Sequence, residues 1–389
     1  MTKWRFFTIA AISVILLSVG AVIVVITSAQ QQFYAPGPHT TTSFFEIERG
    51  AAPAHVAASL AEAGLIAASG PIPAPLIFRE GARRTERAQI IRFGTFEIPA
   101  GASMDRILEI ITDAEASKPR FRITLVASIN GGRMVFGERQ AGSLDYVERA
   151  VILPGEDIRE IATSMMESGS SVDYRVVIPE GLTSWQVVES LKLAAFLAGD
   201  DPVIPPEGSL APDTYSVARG LARDDLLARM AQAQSRIVAD NWSRRSQDLP
   251  IENPQEALIL ASIIEKETGL ADERGLVASV FVNRLRKDMP LQTDPSVIYG
   301  LTDGKAPLGR GLRKSELERD TPYNTYLHPG LPPGPIANPG RQSIQAAVNP
   351  DHSDYLYFVA DGTGGHAFAK TYQDHRVNVR AWRKIEAGN

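Results

Sequence analysis

Hydrophobic positions along this chain follow three spacings in turn, and each predicts a different kind of element. The first is an unbroken run: residues 6–29 read FFTIAAISVILLSVGAVIVVITSA without a charge, and no charge returns until Glu46. About 20 apolar residues cross the hydrocarbon core of a bilayer, so this run is long enough to be a transmembrane helix. The second spacing recurs, as an extended stretch, a Gly turn and a helical run whose first apolar residue lies about six positions on. It appears at residues 44–50 (FFEIERG) before Val56 and Leu60, and at 95–101 (TFEIPAG) before Ile107 and Ile111. It returns at 150–155 (AVILPG) before Ile161 and at 175–181 (RVVIPEG) before Val187 and Leu191. Each instance predicts a small strand–helix unit. The third is apolar on every side: residues 253–269 read NPQEALILASIIEKETG, with only Ser262 polar between Ala257 and Ile264. That pattern suits a helix enclosed by protein.

The boundaries of the enclosed helix are well marked. Asn253 is a good N-cap, Pro254 fits the first helical position and Glu256 completes a capping box. Gly269 is expected to supply a left-handed stop. A second helix is expected from about Asp272, with Val277, Val280, Phe281 and Leu285 on its apolar face and Asn283, Arg284 and Arg286 off it. Residues 121–136 (FRITLVASINGGRMVF) read as a hairpin about Asn130-Gly131-Gly132.

Charge and composition narrow the class. Lys3 and Arg5 precede the apolar run and no charge closely follows it, which keeps the short N-terminus inside the cell and places the rest outside. The net charge of −5, with both signs interspersed, argues against nucleic acid as a partner. Cysteine is absent, which excludes disulfides, thiolate metal sites and cysteine nucleophiles. His328, His352, His366 and His375 offer no close ligand pair, and no phosphate loop or dinucleotide fingerprint is present, so no metal or cofactor is expected.

The candidate chemistry sits at the end of the enclosed helix. Glu265 and Glu267 fall in its last turn, where the helix dipole is negative and the preceding walls are apolar. Both effects disfavour the ionised carboxylate and push its pKa towards the range of a general acid. At about 100° per residue the two glutamates lie about 200° apart and do not share a face.

The segments 261–269 (ASIIEKETG), 277–285 (VASVFVNRL), 291–300 (LQTDPSVIYG), 322–326 (PYNTY), 330–336 (GLPPGPI) and 355–359 (YLYFV), taken in this order, resemble the endolytic murein transglycosylases, the MltG or YceG-like family. The resemblance extends to the anchor and to residues 207–215 (EGSLAPDTY), and the small strand–helix units resemble the LysM family, which binds N-acetylglucosamine polymers. It implies an α+β chain: a cytoplasmic N-terminus (1–5), a transmembrane helix (6–29), a tether (30–43), a LysM-like αβ region (44–118), an insertion with the hairpin and third unit (119–173), and a YceG-like catalytic domain (174–389). It also implies cleavage of the β-1,4 bond between N-acetylmuramic acid and N-acetylglucosamine within peptidoglycan strands, at the outer face of a bacterial inner membrane, with peptidoglycan synthases as partners.

A lytic transglycosylase needs one acid, because the muramyl 6-hydroxyl attacks intramolecularly and the same group then takes its proton. Glu267 with Thr268 takes the place of a Glu-Ser pair in the wider transglycosylase group, which makes Glu267 the catalytic candidate. Glu265 is left to pair with a basic group, to orient the fold or to line the substrate site. Gln292, Thr293 and Asp294 are candidates to line the cleft, and Tyr323, Asn324 and Tyr326 to hold N-acetyl groups and stack on sugar faces. Two alternatives stay open: a non-catalytic glycan-binding scaffold, and a hydrolytic muramidase using Asp294 as second carboxylate.

Overall fold

The structure is a computed structural model that describes residues 2–156 and 172–387, with side chains from Ile12 onward. Its apolar run forms one helix, α1 (Thr2–Tyr34), of which Ile12–Tyr34 is long and apolar enough to cross a membrane, with mean hydropathy 2.6. The chain divides into two compact units, the first built chiefly from residues up to 123 and 136–150, the second from 174 onward with 124–135 and 151–156.

In the first unit, the tether expected over 30–43 is corrected. Residues 30–34 continue α1, and Phe33 is only 4% exposed because its ring packs against the backbone of Gly81, where any side chain would collide with it. The Gln32 side chain accepts the Ser69 N–H (2.9 Å), and the irregular stretch that follows is strapped down by Gly37 N–H to Gly101 O (3.0 Å) and Gly101 N–H to His39 O (2.8 Å). Gln and Phe extend the helix until Pro36, which disfavours helical backbone in the residue before it. The stretch is polar, but the Gln32 side chain and the backbone of Gly37 and His39 find partners in the fold.

Strand β1 (Ser43–Ile47), helices α2 (Pro53–Glu62) and α3 (Ala74–Arg84), strand β2 (Gly94–Ile98) and helix α4 (Met104–Thr112) follow. β1 and β2 pair antiparallel with Phe45 opposite Phe96, so the first two recurrences are two halves of one module. Phe45, Ile47, Phe96 and Ile98 meet Val56, Leu60, Phe78, Ile107 and Ile111 in a single core.

Strands β3 (Phe121–Val126), β4 (Arg133–Arg139), β5 (Tyr146–Ile152), β6 (Val172–Val177) and β7 (Thr214–Val217) form a five-stranded sheet in the order β5-β4-β3-β6-β7. The expected hairpin is present as β3 and β4, and Gly131 and Gly132 both take positive φ in its turn (91° and 84°), which glycine alone adopts without strain. The helical run expected after Gly155, reaching Ile161, lies outside the described residues.

In the second unit, α5 (Ser184–Lys192) opens with a capping box between Thr183 and Gln186, burying Val187 and Leu191, and α6 (Arg223–Ser243) follows. The enclosed helix is α7 (Pro254–Glu267), buried without interruption from Ala257 to Ile264. Asn253 caps it through the Glu256 N–H (3.0 Å), and the Glu256 carboxylate returns to the Asn253 amide (2.9 Å). Buried Ser262 is satisfied twice, donating to Ile259 O (2.7 Å) and accepting from Ile336 N–H (3.0 Å). Helix α7 packs against α8 (Arg274–Arg286) and, further along the chain, α11 (Arg341–Val348). Between these two lie α9 (Asp294–Thr302) and α10 (Lys314–Leu317), and the unit closes with hairpin β8–β9 (Tyr357–Ala360, His366–Ala369) and α12 (Tyr372–Glu386).

Two expectations for this region are corrected. Helix α7 ends at Thr268 in extended conformation (φ −141°, ψ 132°), and Gly269 is not among the positive-φ glycines. Its β-branched side chain suits extended backbone, and its hydroxyl accepts the Leu270 N–H (3.0 Å) to close a local turn. Arg284, expected off the apolar face, is buried at 8% exposure. Its guanidinium donates to Leu356 O (2.7 Å), Leu291 O (3.0 Å) and Pro290 O (3.1 Å), the partners that burial of a charge requires.

Candidate active site

Glu267 is the last residue of α7, and the structure brings Thr293 to it: the Thr293 hydroxyl donates to Glu267 Oε1. Thr293 is itself 2% exposed and fixed on both sides. Its N–H donates to Thr325 Oγ1 (3.0 Å), its carbonyl accepts from Ser296 Oγ (2.9 Å), and the neighbouring Gln292 N–H donates to Thr325 O (3.1 Å). Gln292 pays for this placement with left-handed backbone (φ 52°), an uncommon state for a residue other than Gly, Asn or Asp. The loop therefore aims one hydroxyl at the carboxylate from a fixed position.

Burial at the helix end pushes the Glu267 pKa up to about 7, from an ordinary value of 4.5. The Thr293 bond favours the ionised form and pulls it down, the charge of Asp294 adds to the rise, and His366 and Arg284 pull down more weakly. Glu267 is thus a carboxyl that holds and releases a proton near neutrality. It opens on a cavity of about 340 Å³ lined by Thr268, Gly269, Gly362, Gly365, His366 and Trp382. His366 is held there by Glu273, with Nδ1 2.7 Å from Oε2 and its backbone N–H 2.9 Å from Oε1. The Asp294 carboxylate accepts from the Tyr326 hydroxyl (2.7 Å), and burial pushes the Tyr326 pKa up.

The expected site residues thus fall into groups. Glu267, Thr293, Asp294 and Tyr326 come together, and Gln292 joins them through its side-chain oxygen, 3.4 Å from Arg284 Nη1. Glu265 faces elsewhere, accepting from Gly340 N–H (2.9 Å) and Ser343 Oγ (2.7 Å) at the N-terminus of α11, where the helix dipole favours a negative charge. Tyr323 packs against Tyr299 with ring centroids 4.8 Å apart and planes tilted by 53°, and Tyr299 donates to Glu207 (3.3 Å), a carboxyl that burial pushes up. Asn324 is corrected as a sugar contact. It is 0% exposed, with its amide N–H groups on Leu317 O (2.9 Å) and Arg319 O (2.8 Å) and its oxygen accepting Tyr326 N–H (3.0 Å), so its polar atoms are used within the loop.

Sequence reasoning missed Arg284, the Glu273–His366 pair and Trp382. His366 was weighed only as a metal ligand, and Glu273 lies 93 positions from it. Trp382 sits in an amphipathic helix where an aromatic residue reads as packing.

Residues 151–381 match the model of the YceG-like family. A protein of Bacillus subtilis named endolytic murein transglycosylase is 42% identical over 172 residues, covering 44% of this chain and 46% of that protein. One of the same name from Streptococcus pneumoniae is 37% identical over 180 residues, covering 44% of this chain and 31% of that protein. The chain therefore spans less than half the length of the curated relatives it matches. A crystal structure of a YceG-like protein from Listeria monocytogenes aligns at 24% identity with TM-score 0.46, covering 86% of this chain and 98% of that one.

Proposed function

Since the chain belongs to the YceG-like family, we propose that it is a membrane-anchored lytic transglycosylase that cleaves peptidoglycan strands internally, with Glu267 as both acid and base. The observation that carries this reading is the half-buried carboxyl of Glu267, with a pKa of about 7, at the rim of an open cavity. Protonated Glu267 gives its proton to the glycosidic oxygen as the bond to the muramyl anomeric carbon breaks. Positive charge builds at that carbon, and the same sugar's 6-hydroxyl oxygen attacks it. The hydroxyl proton passes to the Glu267 carboxylate, which restores the acid and leaves a 1,6-anhydro end. Attack by a tethered group replaces an activated water through proximity.

The surrounding residues suit the two halves of this cycle. Thr293 holds the ionised carboxylate in place through its hydroxyl. Trp382, Gly362 and Gly365 line the cavity, where an aromatic side chain beside small residues suits contact with a sugar ring. On this reading α1 is a single-pass inner-membrane anchor with the catalytic unit outside, and the βααβ arrangement of the first unit serves as a LysM-like glycan contact.

A hydrolytic muramidase is the second reading, favoured by Asp294, whose charge acts on Glu267. The two are separated by incubating the protein with uncrosslinked glycan strands and resolving the products by mass spectrometry. Internal anhydromuramyl ends support the transglycosylase, reducing ends the muramidase, and no cleavage a glycan-binding scaffold.

A further inference from the structure

We propose that the groove between the end of α1 and α3 is a binding seat for a phospholipid of the leaflet opposite Lys3 and Arg5, its acyl chain in the groove and its phosphate towards the arginines of α3. The proposal rests on reading α1 as a membrane span. The groove has a volume of about 280 Å³ and lies wholly within the first unit. Its α1 wall is Ile26, Ala29, Gln30, Phe33 and Tyr34, one face of the helix at the spacing i, i+3, i+4, i+7 and i+8. Its other wall comprises Ile72, Leu76, Ile77 and Gly81.

Depth in the membrane identifies the occupant. Counting about 20 residues of hydrocarbon core from Phe6, the first residue after the N-terminal charges, ends at Val25. The groove begins at the next residue, Ile26, and runs about 12 Å further along the helix at 1.5 Å per residue, through the layer where acyl chains meet headgroups. Apolar side chains are left open there: Leu76 is 50% exposed, Ile26 43% and Tyr34 56%. In water this is an unfavourable surface, whereas at that depth the neighbouring material is lipid.

The helix beside the groove carries the charge that suits a phosphate. Helix α3 carries three arginines, Arg79, Arg83 and Arg84, against one acid, Glu80, and of these Arg84 and Glu80 line the groove itself. Glu80 is tied to Arg83 and Arg84, with contacts of 2.9 Å and 2.8 Å, and hydrogen bonds from Arg83 first and Arg84 second hold its carboxyl down at about 2. The ionised network keeps an excess of positive charge beside the groove at any physiological pH. A volume just below the range of small-molecule pockets, about 300–1,000 Å³, fits the upper part of one chain rather than a whole lipid.

Photolabelling tests this with the full-length protein in vesicles of phosphatidylethanolamine and phosphatidylglycerol, the former carrying a diazirine near the ester end of one acyl chain. After irradiation and proteolysis, mass spectrometry is expected to find adducts on residues 26–34 and on 72–85. Filling the groove with Ala29→Phe should lower labelling of 72–85 at least fivefold while labelling of the span before Ile26 stays constant. Leu76→Glu, at a half-exposed position that does not threaten the core, should do the same. Label on the span but none on 72–85, or label there that ignores both variants, overturns the seat while leaving the anchor intact. Failure of the protein to float with the vesicles overturns the anchor and the seat together.

Discussion

Glu267 accepts a hydrogen bond from the hydroxyl of Thr293, a residue 26 positions further along the chain. The bond stabilises the charged form of a group that burial would otherwise keep neutral, leaving the carboxyl poised close to neutrality.

Replacing Glu267 by Gln should abolish cleavage, by about 10²–10⁴-fold or more, because the near-isosteric amide cannot donate an acidic proton. Stability should change in the opposite sense. The folded-state pKa of about 7 lies above the ordinary 4.5, so between those values the folded chain holds a proton that the unfolded chain has lost. Wild-type stability therefore falls as pH rises through that window and stays low above it. The amide avoids a penalty of ~1–3 kcal/mol at pH 8 and gains almost nothing at pH 4. Melting curves of both proteins across pH measure the difference.

Thr293→Val removes the hydroxyl that pulls the Glu267 pKa down. Activity that needs the protonated acid declines as pH rises through about 7 in the wild type, so in the variant this alkaline limb should move to higher pH. The maximal rate should fall by up to about 10²-fold as the carboxyl loses its fixed position. An unmoved limb would mean that another group controls it.

Glu265→Ala should act on the fold. The Gly340 N–H and the Ser343 hydroxyl lose their acceptor at the start of α11, costing about 1–2 kcal/mol. The alkaline limb should stay where it is, since Glu265 does not touch Glu267. Denaturant unfolding and a rate–pH profile on one preparation check both statements, and retained stability with lost activity would reverse the roles given to the two glutamates.

A reporter active only in the cytoplasm, fused at the C-terminus, should remain silent in cells. Strong activity would contradict the orientation inferred from Lys3 and Arg5.

What could be read from the sequence was set locally. The enclosure of α7 follows from the apolar run 257–264, and its start from Asn253 and Pro254, because both signals act within one or two turns. The turn of the β3–β4 hairpin was legible because two adjacent glycines permit backbone that other residues avoid. Residues 30–34 misled because Gln-rich, polar sequence resembles a linker, while the burial of Phe33 depends on the bare backbone of Gly81, 48 positions away. Arg284 misled for a related reason: its solvation is replaced by three carbonyls, one of them from residue 356. Glu267 could be singled out as a candidate from its helix end, but its partner Thr293 could be named only as a cleft residue, since no local rule joins the two.

The double fastening of Ser262 limits how this gene can vary. Ser262 ties one turn of α7 to the backbone of Ile336, and five residues later Glu267 must meet Thr293. A single codon inserted or deleted between those positions would swing the carboxylate by about 100° and shift it by about 1.5 Å. Substitutions in that interval can be graded in effect, but a change of length there cannot, so the five-residue interval is a fixed measure for any chain that keeps the Glu267–Thr293 contact.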